Sequence, residues 1–189
     1  MLKVRKASRD VFNEKPTREE QTIATATTQQ ESFGNSAIMH TTFGDIYIRL
    51  FPVEAPLATK NFTILAKTGY YCNVIFHRVI KGFMCQTGDP NGDGTGGVSA
   101  FGGEAFKDEF HASLCHDEPY VISMANSGPD TNQAQFFITT AATPWLDKKH
   151  TIFGKCVGGT DVVQRIEIAK CDRRDRPEVP IKIISIEMR

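Results

Sequence analysis

From residue 37 onward the chain is written in short alternating runs of apolar and polar residues. Ile46, Ile48 and Leu50 alternate with Tyr47 and Arg49, the two-residue period of a strand with one face turned inward. The run Ala37-Ile38-Met39-His40-Thr41-Thr42 precedes it, and Phe43-Gly44 between the two reads as a hairpin turn in which glycine supplies a positive φ. Over residues 56–67 the spacing becomes helical. Ala58, Phe62, Leu65 and Ala66 share a face, Pro56 suits the first turn and Gly69 suits the C-terminal cap. Residues 120–125, 135–140 and 151–157 read as further strands, the first two separated by the turn-rich segment 126–132. Val162, Val163 and Ile166 predict a short helix over 161–168, and Ile181, Ile183 and Ile186 place a closing strand in 180–189. Residues 104–111 form an acidic, aromatic loop under which Phe106 and Phe110 are expected to tuck. Many short strands with regular turns and two helices predict a mainly β fold, a closed antiparallel barrel.

Residues 1–36 lack this patterning. They are polar and rich in Thr, Gln, Glu and Lys, and Thr17-Arg18-Glu19-Glu20 after Pro16 matches a capping box with no apolar run behind it. The expectation is a largely disordered extension or linker over 1–36 and a folded domain over 37–189.

The stretch from Val74 to Asp89 reads as two short apolar strands joined at Lys81-Gly82. Arg78 and Gln86 interrupt them with long polar groups. An arginine among Phe, Val and Met must keep its guanidinium at a surface or lock it with hydrogen bonds. A salt-bridged edge-strand arginine and a functional one both satisfy that demand. His77 should point to the opposite strand face, as a hydrogen-bonded core histidine. Glycines crowd residues 88–97. Gly92, Gly94 and Gly97 imitate a dinucleotide-binding pattern, but residues 98–103 are no phosphate-binding helix. Asp89, Asn91, Asp93 and Gly94 imitate half a calcium loop, with Ala100 where its closing glutamate belongs. The glycines are expected to let the backbone turn tightly beside a pocket.

Composition narrows the classes. The 189 residues suit a single core, and 22 basic against 22 acidic residues give a net charge of zero. No basic cluster argues for direct nucleic-acid or membrane-surface binding. No apolar run approaches membrane-spanning length, and the polar N-terminus lacks a signal-peptide core. The five cysteines are scattered without metal-like spacing, which points to free thiols in a reducing, nuclear or cytoplasmic compartment. Cys85 and Cys156 lie in apolar strand contexts and are expected to be buried. There is no nucleophile elbow, HExxH or Walker loop, and no metal or cofactor is expected.

Phe76-His77-Arg78-Val79-Ile80, Gly82-Phe83-Met84 and Gln86-Thr87-Gly88-Asp89 together resemble the central motif of the cyclophilins, the cyclosporin-binding peptidyl-prolyl cis–trans isomerases. Two later blocks repeat the likeness in order. One is Ser123-Met124-Ala125-Asn126-Ser127-Gly128-Pro129 running to Gln135-Phe136-Phe137-Ile138, and the other Trp145-Leu146-Asp147 with His150-Thr151-Ile152-Phe153-Gly154. The resemblance covers residues 37–189. It implies eight strands with a helix at each end. Residues 10–16 also resemble the linker before the isomerase domain of the WD-repeat cyclophilins of spliceosomes; with no repeat of WD length in the sequence, that resemblance implies a fragment or a truncated relative of that group.

The resemblance assigns parts. Phe83, Met84, Phe137 and Leu146 would form an apolar pocket for a proline ring, with His150 and Trp145 at its rim. Arg78 would donate to the proline nitrogen and carbonyl, Gln86 would contact the moving amide, and Asn126 would hold the substrate through its main chain. Gln135 would help to position Arg78, and Ala125 lines the same surface. Lys81, Ser127 and Gln133-Ala134 depart from the commonest pattern without removing any of these groups; Ser127, Thr131 and Ala134 would border a neighbouring pocket and set substrate preference. The implied partners are proline-containing peptides and proteins, cyclosporin A as an inhibitor, and spliceosomal proteins, met by a monomer. A second reading uses the same pocket, as a proline-peptide binding module of a nuclear assembly with incidental turnover; a third makes residues 1–36 the true docking element.

Overall fold

The computed structural model describes residues 35–189. The expectations for the N-terminal extension, its capping box and the linker likeness fall outside the described residues. Eight antiparallel strands form one sheet: β1 (Ser36–Thr41), β2 (Gly44–Leu50), β3 (Arg78–Ile80), β4 (Met84–Thr87), β5 (Val121–Met124), β6 (Phe136–Thr139), β7 (Ile152–Gly158) and β8 (Ile183–Met188). Two helices accompany them, α1 (Pro56–Lys67) and α2 (Thr160–Glu167). The strand order is β3-β4-β6-β5-β7-β2-β1-β8.

The closed barrel expected from the sequence is not made by continuous pairing. Its end strands, β3 and β8, share no ladder; the seam is crossed by a single bridge, Ile75 to Lys182. The backbone N–H groups of Asn73 and Phe76 donate to the carbonyls of Ile183 and Ile181 at 2.8 and 2.9 Å, and Ile183 donates to Val74 at 2.8 Å. Residues 73–76 are therefore tied to residues 181–183, at and just before the start of β8, rather than extending β3, which begins only at Arg78.

Helix α1 buries Ala58, Phe62, Leu65 and Ala66 on the face its spacing predicted. Phe62 meets Tyr71, Phe136 and Phe153 with ring centroids 5.6, 5.5 and 5.4 Å apart, joining the helix to β6 and β7. Burial of one such ring contributes about 1.5–3 kcal/mol. Ala55, at the N-cap, offers no side-chain acceptor. The Glu109 carboxylate takes that role from a distant loop, accepting the N–H groups of Leu57 and Ala58 at 2.9 Å each, where a negative charge is favoured by the helix dipole.

Three local expectations need correction. Phe106 is buried, but Phe110 is 49% exposed: once Glu109 turns inward to cap α1, its neighbour is left outward. Ala134 belongs to the core, its carbonyl taking the Tyr71 hydroxyl at 3.0 Å, and does not border a pocket. His77 is buried as expected, yet neither ring nitrogen has a hydrogen-bond partner among the described residues. Burial pulls its pKa down, with Arg176 and Arg78 acting in the same direction against Asp89 and Asp93. Cys85 and Cys156 are buried, and loss of hydration pushes the Cys156 thiol up to about 12.

Candidate active site

Strand register assembles the site. Arg78 lies opposite Gln86 in the β3–β4 pair, and Gln86 lies opposite Phe137 in the β4–β6 pair. Residues two apart on a strand share a face, so Met84 joins this row. Val79, Cys85, Phe136 and Ile138 occupy the other face and enter the main core. Met84, Phe137 and Leu146 instead form a separate small apolar cluster, packed by Ile80, Phe83 and Ala125.

A cavity of about 210 Å³ opens over that cluster, lined by Arg78, Phe83, Met84, Gln86, Ala125, Asn126, Phe137, Leu146 and His150. Nine of the residues singled out in the sequence thus share one concavity. Gln135 lies next door, in a polar recess of about 120 Å³ that also takes in Gly94, Gly96, Ser127, Thr131 and Gln133. Trp145 stands on a short 3-10 helix (Pro144–Leu146), 56% exposed, with its ring 6.0 Å from that of Phe83 and tilted by 34°. It is a rim residue and does not line the cavity.

The polar groups are held unequally. Nε2 of Gln135 donates to the carbonyls of Gly94 and Gly96 at 3.1 and 2.7 Å. That fixes its amide so that Oε1 faces Gln86, whose Nε2 donates to it at 2.9 Å. Gln135 therefore positions Gln86 directly, and touches Arg78 only through that cross-strand neighbour. The approach of these residues needs Gly88, at φ +89°, where a Cβ would come within 2.6 Å of the Ala134 carbonyl oxygen. Arg78 is 46% exposed, and its Nε lies 4.0 Å from Asp175 Oδ2. A pair that long and that wet contributes ~0–1 kcal/mol at most, so Asp175 does not lock the guanidinium.

The loops that carry His150 and Asn126 are tied down as well. His150 Nδ1 lies 2.9 Å from the Met124 carbonyl, which can only accept, so Nδ1 is the donor. Its ring meets Phe137 edge-on at 5.3 Å and 82°. Asn126 Nδ2 donates to the Lys149 carbonyl at 2.8 Å, joining the two loops.

Sequence reasoning missed His116. This fully buried imidazole places Nδ1 2.8 Å from Asp147 Oδ1 and Nε2 2.8 Å from the Ser123 hydroxyl. Its carbonyl also accepts the Thr143 N–H at 2.7 Å. The turn that carries Trp145 and Leu146 is thus gripped at Thr143 and at Asp147. One signal was available: a serine inside the apolar strand Val121–Met124 demands a hydrogen-bond partner.

The Asp89 carboxylate accepts the N–H groups of Asn91, Asp93 and Gly94 at 2.8, 3.1 and 2.6 Å, which explains the calcium-like spacing as a loop-folding device. Among the described residues no group of acidic, His and Cys side chains could hold a metal ion, and no helix is long and apolar enough to cross a membrane.

Residues 36–188 match the family described as cyclophilin type peptidyl-prolyl cis-trans isomerase/CLD. The peptidyl-prolyl cis-trans isomerase cyp15 of Rhizopus delemar is 59% identical over 184 residues, 97% of this chain and 29% of that protein. The human peptidylprolyl isomerase domain and WD repeat-containing protein 1 is 52% identical over 184 residues, 97% of this chain and 28% of its own length. The chain therefore spans less than a third of these two curated relatives. A crystal structure of a Cryptosporidium parvum cyclophilin type isomerase, determined in the presence of the dipeptide Ala-Pro, superposes with a TM-score of 0.79 at 39% identity, covering 82% of this chain and 98% of that one.

Proposed function

The chain belongs to the cyclophilin-type peptidyl-prolyl cis-trans isomerase family, and from that premise we propose that it interconverts the cis and trans forms of X–Pro bonds in peptides and proteins without forming a covalent intermediate. One observation carries the reading: a single cavity joins an apolar floor of Met84, Phe137 and Leu146 to an edge of polar donors, Arg78 and Gln86.

Rotation about an X–Pro bond faces a barrier of about 18–20 kcal/mol because amide resonance is lost on the way. The twisted amide regains a lone pair on the proline nitrogen, and groups that bind it better than the planar amide lower the barrier. Phe83, Met84, Phe137 and Leu146 hold the ring. Asn126 fixes the peptide main chain, and Gln86, pinned by Gln135, contacts the carbonyl side that swings. Arg78, exposed and held by no strong partner, is free to donate to the proline nitrogen as the lone pair appears. The desolvated floor strengthens that donation. His150 and Trp145 close the rim, and Ala125 leaves room for the backbone.

The same surface would take cyclosporin A, with Trp145 packing on it and donating through its ring nitrogen. The resemblance of residues 10–16 to the linker of the WD-repeat cyclophilins of spliceosomes would give the chain spliceosomal partners in the nucleus. A protease-coupled assay on a proline tetrapeptide, with and without cyclosporin, tests the reading. Turnover that the drug abolishes is the expected result; peptide binding with no rate enhancement would leave a binding module in its place.

A further inference from the structure

A second cavity of about 290 Å³ shares His150 with the first and is not lined by Gln86. The His150 imidazole lines both concavities and forms the partition between them. The far walls are Phe110, 49% exposed, the half-buried Leu114 and the buried Ile152. The acidic groups beside them are already engaged. Both Glu109 oxygens accept from the start of α1, and Asp147 Oδ1 accepts from His116. The cavity thus offers a neighbour an apolar wall, with the Glu109 carboxylate and Asp147 Oδ1 already engaged and His111, Cys115 and Lys148 also in the lining.

We propose that this cavity is a specificity subsite that takes an aliphatic or aromatic side chain of the bound peptide, on the C-terminal side of the proline. The inference rests on the isomerase reading for its direction. With the proline ring over Phe137 and Met84, the X–Pro amide lies toward Gln86, so residues before the proline run into the polar recess that Gln86 and Asn126 also line. Residues after the proline then leave past His150, which lines the proline cavity but not that recess. An extended chain turns successive side chains to opposite sides, so one of the first residues past the proline faces this cavity. The occupant is the substrate itself, because His150 lines both this cavity and the proline cavity.

Calorimetric titration of the full chain with peptides that share one proline and carry Ala, Leu or Phe at each following position tests this. At one position Leu or Phe should tighten Kd about tenfold over Ala, equivalent to about 1.4 kcal/mol and within what burying an apolar side chain supplies. In Phe110→Asp, and separately in Leu114→Asp, that preference should shrink to about twofold or less. Equal affinities at every position, or a preference that stays near tenfold in both variants, overturn the subsite. Turnover of the same peptides is followed by exchange NMR. An affinity preference without turnover removes the isomerase reading and leaves the subsite standing; turnover without a preference does the reverse; failure of every peptide to bind removes both.

Discussion

His116 and Asp147 meet at 2.8 Å through Nδ1 and Oδ1, and the His116 backbone N–H reaches the same carboxylate oxygen at 2.8 Å. A carboxylate only accepts, so Nδ1 carries the proton, and the neutral ring presents the Nε2 lone pair to the Ser123 hydroxyl. Burial holds the imidazole below its ordinary pKa, against the opposite pull of Asp147. Burial works to raise Asp147, but the His116 hydrogen bonds outweigh it and keep the carboxyl below its ordinary value. The pair is a neutral imidazole on an ionised carboxylate, and Ser123 sits across from Phe137 in the sheet. A loop residue thereby links the cavity floor to the turn that carries Leu146 and Trp145.

Replacing His116 tests that linkage. His116→Ala leaves Ser123 and Asp147 without their partner, and a lost hydrogen bond to a charged group weakens the fold by about 1.5–3 kcal/mol. Thermal melting should show that drop. Steady-state kinetics should show KM rising more than kcat falls, because the Leu146 wall loosens while Arg78 and Gln86 are untouched. His116→Asn, which can still donate to Asp147, should recover part of both losses.

Acid should destabilise the protein in two windows. His116 and His77 both have lowered pKa values, so below their ordinary value of 6.5 the unfolded chain binds protons that the native state refuses. The unfolded state then holds more protons, and stability falls as pH falls. Asp93, Asp147 and Asp172 are also lowered, so their contribution is lost only below the ordinary 3.8. Denaturant midpoints taken between pH 8 and 3 should decline first from about pH 6.5. In His116→Asn the early decline should be smaller.

Arg78→Ala is the direct test of catalysis. If the guanidinium meets the amide nitrogen only in the twisted state, its loss raises the barrier without weakening ground-state binding. A donor aimed at a transition state is worth about 3–4 kcal/mol, so kcat should fall about 100- to 1000-fold. Affinity for proline peptides should change far less, since Met84, Phe137 and Leu146 remain. Survival of turnover within a few-fold would make Arg78 an ordinary surface partner of Asp175. A near-UV spectrum accompanies the rate and establishes that the variant is folded.

Trp145→Ala should separate drug from substrate. Trp145 is 56% exposed, and among the described residues its one ring partner is Phe83, tilted at the rim. Its removal should weaken cyclosporin far more than it slows turnover of a short peptide. Matching losses in the two measurements would place Trp145 in the cavity rather than on its edge.

The sequence by itself determined what depends on near neighbours. The alternation of Ile46, Ile48 and Leu50, the helical spacing of Phe62 and Leu65, and Gly82 at a turn (φ +73°) are local matters of period and backbone freedom. Arg78 and Gln86 stood out because long polar groups in apolar strands require a surface, and the family motifs named their companions. Tertiary structure decided what depends on which distant segments meet. Cross-strand register, invisible to periodicity, set Gln86 opposite both Arg78 and Phe137 and gave Gln135 to Gln86 instead of Arg78. Glu109 capped a helix 51 residues away and so turned Phe110 outward. His116 found Asp147 across 31 residues, in a loop whose composition gave no period to read. No ladder joins β3 to β8 because it is the chain before β3 that bonds residues 181–183, where β8 begins. Such pairings are chosen by burial and by the need to satisfy every buried polar group, and those conditions exist only once the chain has closed on itself.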